Sequence, residues 1–135
     1  MSALRRALPS ALAVVLAGCY FGQTAAKFEP ALGPRGVATT ITSAGRTVVS
    51  GELIEVGDTS LLVDTAPAIV RVPYDVIRHA AFAQTGIHLD DGRAPAASTR
   101  DKLRLLSRFP QGLSPALLQA LLEARGQAEV TRLVR

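Results

Sequence analysis

The sequence predicts an α+β fold: a small five-stranded antiparallel β-barrel followed by a C-terminal helical hairpin. Three observations carry that expectation. Residues 36–83 hold short runs rich in Val, Ile and Thr, each bounded by Gly, Asp or Pro, the pattern of half-buried strands and their turns. After residue 98 the apolar residues take up helical spacing. The composition, 48% hydrophobic but only 4% aromatic and without Trp over 135 residues, suits one small domain with an aliphatic core.

In chain order, the first segment belongs to no fold. Residues 1–18 divide into a basic stretch from Met1 to Arg6, an apolar stretch from Ala7 to Leu16, and the small residues Ala17 and Gly18. This is the layout of a secretory signal peptide. Its apolar part, roughly a dozen residues, is shorter than the ~20 a spanning helix needs. The chain's single cysteine follows at once, at Cys19.

Leu16-Ala17-Gly18-Cys19 resembles the lipobox of bacterial lipoproteins. The resemblance implies cleavage between Gly18 and Cys19, a diacylglyceryl group on the Cys19 sulfur and acylation of the new amino terminus. Membrane lipid is then a partner through the Cys19 anchor, and two or three acyl chains hold durably where one is marginal. Tyr20 stands where some lipoproteins carry an inner-membrane retention Asp, so the resemblance implies the outer membrane, facing the periplasm. Acylation also accounts for an odd thiol in an exported chain, which has no second cysteine for a disulfide. Residues 19–35 mix Gly, Pro and small polar residues without periodicity, and read as a flexible tether of about 20 Å mean reach.

Within residues 36–83 the expected strands cover about 37–42, 47–56, 60–64, 69–73 and 77–82. Gly51 inside the second predicts a bend. Pro73 closes the fourth, where a missing N–H does least harm, and Tyr74-Asp75 marks a corner. The stretches VVSGELIEVGDTSLLV and VRVPYDVIRHAAF look like an Sm-like or SH3-like small barrel. The RNA-binding members of that group carry an Asn after the second strand and an Arg-Gly near the fifth. Here those places read Gly57-Asp58-Thr59-Ser60 and Arg78-His79-Ala80, and the chain is expected to be exported, so nucleic acid is not an expected partner. Charge agrees: removing Arg5 and Arg6 with the signal peptide lowers the formal +4 by two.

Residues 84–97 read as a polar connector, and residues 98–135 as the helical region. Ser98 and Asp101 resemble a capping box for a helix over 99–109. Its Leu103, Leu105, Leu106 and Phe109 share a broad face, and Arg100, Arg104 and Arg108 line the opposite one. That arginine stripe is expected as a solvated face, with anionic headgroups or an acidic partner as the functional reading. Ser114-Pro115 opens a second helix with Leu117, Leu118, Leu121 and Leu122 as its stripe and Gly126 as its C-cap. The tail AEVTRLVR is left open between strand and frayed helix.

No nucleophile constellation or Gly-rich phosphate loop is present, and no cofactor is expected. His79 reads as a surface strand histidine. His88, Asp90 and Asp91 offer an imidazole and two carboxylates on one short loop. The resulting expectation is a lipid-anchored cell-envelope lipoprotein without enzymatic activity, acting as a binding or structural module with an envelope protein as candidate partner. The alternative is an envelope metal-dependent hydrolase using His88, Asp90 and Asp91.

Overall fold

A computed structural model describes residues 35–135. The signal peptide, the Gly18–Cys19 cleavage point, the Cys19 lipidation site and the tether up to residue 34 lie outside the described residues. The chain forms β1 (Ala38–Ser43), β2 (Val48–Val56), β3 (Ser60–Asp64), β4 (Ile69–Pro73), β5 (Ile77–Phe82), β6 (His88–Asp90), α1 (Ala97–Leu106), α2 (Pro115–Ala124) and β7 (Thr131–Arg132). The strands make one seven-stranded sheet in the order β6-β5-β1-β2-β3-β4-β7. Every neighbouring pair is antiparallel except β4 with β7, which is parallel.

This overturns the five-stranded antiparallel barrel. Strands fall at the five expected stretches, to within one residue, but the sheet is mixed and does not close. A single 3-10 turn, Tyr74–Val76, joins β4 to β5, and these two strands lie far apart in the sheet order. Each open side takes another strand instead. β6 comes from residues expected to be connector, and β7 from the undecided tail. Alternation within a strand reports its local conformation, whereas edge pairing depends on distant chain and leaves little local trace.

Two register features shape the sheet. Gly51 faces Thr39 across the β1–β2 ladder, and a Cβ there would sit 2.1 Å from the Asp64 carbonyl oxygen. The requirement at Gly51 is thus close approach by β3 rather than the bend alone. The irregularity of β2 lies further on, between Leu53 and Glu55, where the β2–β3 register shifts. The Leu53 and Ile54 carbonyls there accept from the Arg108 and Phe109 amides, so the bulge ties down the chain leaving α1.

The sheet buries apolar side chains on both faces. One core holds Ile41, Leu53, Leu61, Val63, Val72, Ile77 and Phe82, and receives Leu103 from α1. The other holds Ile54, Leu62 and Ile69 under Leu121 and Leu122 of α2, with Phe109, Leu113 and Leu118 at its margin. All five β3 residues are buried, because both cores use that strand.

The helical hairpin is corrected accordingly. The two helices do not build a shared leucine core, since each inserts into a different face of the sheet. Of the expected apolar face of α1, Leu103 is fully buried but Leu105 is 76% exposed. The Ser98–Asp101 capping box does not form: Ala96 is the N-cap and makes no side-chain cap bond. In α2 the signals hold, with Ser114 accepting from the Leu117 amide and Pro115 in the first turn. Arg125 is its C-cap, and Gly126 follows at φ 64°, the left-handed residue that stops the helix.

Candidate functional site

A polar groove of about 600 Å³ lies at one end of the sheet. The β2–β3 turn supplies Asp58 and Thr59, β3 begins it with Ser60, and β4 ends it with Arg71 and Pro73. Tyr74 and Asp75 of the 3-10 turn, Gly92 and Ala94 beyond β6, and Arg132 of β7 complete it. A smaller recess of about 330 Å³ adjoins it, sharing Asp75 and Gly92 and adding Arg78, Asp91 and Arg135.

Strand register explains the arginines. Val70 and Val72 point into the first core, so Arg71 between them lies on the other face. There it stands opposite Leu62 of β3 on one side and Arg132 of β7 on the other. Its guanidinium donates to the Ser60 hydroxyl at 3.3 Å. β7 is fixed in turn by the Leu133 amide donating to the Arg71 carbonyl.

Tyr74 braces the opposite end. Its hydroxyl donates to the Gly57 carbonyl at 2.8 Å, locking the β2–β3 turn. Burial pushes its phenol up to about 12, against the pull of the nearby Arg100 and Arg104 cations. It therefore stays a neutral donor at any physiological pH. Asp58 on the rim accepts from Arg104 at 2.9 Å and lies 3.7 Å from Arg100. Arg100 is three-quarters buried, and its Nε finds no acceptor.

This corrects the arginine stripe expected on the first helix, of which Arg108 lies just past the end of α1 at Leu106. Rather than facing solvent, it is the docked face. Arg100 and Arg104 reach Asp58, and Arg108 forks onto Glu52 of β2, with the Arg108 Nε to Glu52 Oε1 distance at 2.8 Å. Its guanidinium pKa is raised above the ordinary value by the Glu52 hydrogen bond, partly offset by burial. None of the three is left with a full complement of solvent-facing donors for a headgroup.

The histidines meet on the far edge. His79 of β5 pairs with Asp90 of β6, and its Nδ1 lies 2.6 Å from Asp90 Oδ1. The His88 ring stacks beside it, 5.4 Å away between centroids. Asp91 departs from this group, taking φ 58° after β6 and lining the smaller recess. Among the described residues, no group of three His, Cys, Asp or Glu side chains is arranged to hold a metal ion. Nor is any described helix long and apolar enough to cross a membrane.

Sequence reasoning passed over Arg71, Arg132, Ser60 and Thr59. Arg71 did leave a signal, as the one charge inside the apolar run IVRVP. Arg132 left none, because its strand has two residues and pairs with a partner distant in the chain. Compared with known proteins, the chain matches no family model, no curated protein and no solved structure.

Proposed function

We propose that this chain is a lipid-anchored cell-envelope protein, held through acylated Cys19 at the outer membrane and facing the periplasm. Its folded part serves there as a binding module, with the groove between Asp58, Arg71, Tyr74 and Arg132 as its binding site. The observation that carries the reading is the Leu16-Ala17-Gly18-Cys19 stretch, placed behind a basic and apolar leader and containing the chain's single thiol. The groove supports the second half, being concave, polar-lined and within the size range of small-molecule sites.

The alternative, a metal-dependent hydrolase using His88, Asp90 and Asp91, has no comparable support. Two of those residues share a strand face, but the third turns into another recess. The anchor is tested by feeding cells labelled palmitate. Label is expected on the wild type, and Cys19→Ala is expected to lose it and leave the membrane fraction. Label retained by the variant overturns the anchor.

A further inference from the structure

We propose that the groove binds a phosphate ester, gripped at its phosphoryl group by Arg71 and Arg132. The inference rests on the groove being the binding site, and is independent of Cys19. Like charges on neighbouring strands destabilise a sheet. Yet Arg71 and Arg132 stand in register on adjacent strands. Among the described residues neither has a carboxylate within 4.0 Å, a state shared with Arg35, Arg46, Arg78, Arg93 and Arg135 but not with Arg100, Arg104, Arg108 and Arg125. What sets Arg71 and Arg132 apart is that they face each other across a ladder. One cation is held by its side chain and the other by its backbone. Arg71 is fastened to Ser60, and the strand bearing Arg132 is fastened to β4. Two unneutralised guanidiniums on one face of neighbouring strands, one of them fastened, suit planar, two-pronged recognition of an oxyanion.

The chemistry of the anion follows from the count of charges and donors. A phosphoryl dianion matches two guanidiniums and presents three oxygens, which the Ser60 and Thr59 hydroxyls beside them can also meet. A carboxylate, with one charge and two oxygens, leaves one fork unmatched. The groove, at about 600 Å³, is far larger than a phosphate ion and leaves room for a body attached to the phosphoryl group. Asp75, an exposed carboxylate with no cation paired to its side chain among the described residues, also lines the groove and offers an acceptor to hydroxyls on that body. A hydroxylated phosphate ester fits, whether free in solution or as a lipid headgroup.

The test uses the full chain in lipid nanodiscs, with glycerol 3-phosphate as probe and the arginine Nε and backbone amide signals as readout. Saturable shifts are expected at Arg71, Arg132, Thr59, Ser60 and Gly92. Arg71→Gln and Arg132→Gln are each expected to weaken binding about tenfold or more, the loss of a charge-assisted contact. Arg46→Gln, which removes the same charge from the β1–β2 turn, is expected to change nothing. Unsaturable binding, or equal weakening by Arg46→Gln, overturns the proposal, provided circular dichroism shows the variants folded. Discs of phosphatidylcholine with and without phosphatidylglycerol then separate the sources. Weaker probe binding in the phosphatidylglycerol discs assigns the site to a headgroup, and unchanged binding assigns it to a free ester. Palmitate labelling reports on the anchor alone, so the two readings fail separately.

Discussion

Asp64 shows how burial decides the worth of a charge. Its side chain is 3% exposed, and it accepts from Arg125 Nε at 3.1 Å, Arg125 Nη2 at 2.5 Å and the Ala66 amide at 2.9 Å. These bonds fix α2 to the end of β3 and set the turn into β4. A buried carboxylate stripped of its cation is costly, because little solvent replaces the lost partner. Arg125→Gln is therefore expected to lower stability by about 3 kcal/mol. Asp101→Asn, which breaks the exposed pair with Arg104, is expected to cost under about 1 kcal/mol. Urea titration of the two variants checks the ordering, and equal losses would show that burial is not what separates them. In the sequence, Asp64 is indistinguishable from an ordinary turn aspartate, since its cation comes from a helix it meets only after folding.

Among the elements, β7 is the clearest case of structure held by one side chain. Two residues do not make a stable strand alone. Gln127 supplies what is missing: its carbonyl oxygen accepts from the Ile69 amide at 2.6 Å, and its amide donates to the Ile69 carbonyl at 3.0 Å. It thus imitates a strand residue along the open edge of β4, just before Thr131 and Arg132 take over. The same amide group reaches the Glu129 carbonyl and the Thr131 hydroxyl. Gln127→Ala leaves both Ile69 groups without their partners, at a cost of about 1–3 kcal/mol. Hydrogen exchange is expected to quicken at Ile69 and Leu133 while Ile41 and Ala80, deep in the first core, keep their protection. Uniform loss across the sheet would instead make Gln127 a global support. The elements were legible in proportion to how local their signals are. Strands β1 to β5 and the Ser114-Pro115 start of α2 announce themselves by alternation and capping chemistry. β6 is three residues with one buried side chain, Leu89, and β7 has none, so neither carries a period to read. The arginine stripe expected on the first helix misled for the opposite reason. Its period was plain, but the carboxylates that claim it, Asp58 and Glu52, sit on or beside β2, and helical spacing says nothing about them.

At the scale of the molecule, one strand joins two cores. β3 gives Leu61 and Val63 to the core that takes Leu103, and Leu62 to the core that takes Leu121 and Leu122. β2 does the same, Leu53 facing one core and Ile54 the other, and the register shift between Leu53 and Glu55 returns Val56 to the first core. Neither layer can loosen without moving a strand the other relies on, so the described part should unfold as one unit. Leu103→Ala and Leu121→Ala, each emptying space in a different core, are expected to cost about 3 kcal/mol apiece. Each is also expected to leave a single urea transition with the wild-type slope. Two transitions, or protection at Ile41 and Ala80 that survives Leu121→Ala undiminished, would show that α2 and its core come away alone. The distinction bears on the groove. Ser60 and Arg71 ride on β3 and β4, the strands shared by that coupling, while Arg132 rides on the edge. If the cores unfold together, Leu103→Ala lowers stability without changing the spacing of Arg71 and Ser60 in the folded state. Glycerol 3-phosphate affinity is then expected to stay at the wild-type value in Leu103→Ala and to fall in Gln127→Ala, which frees the strand that carries Arg132.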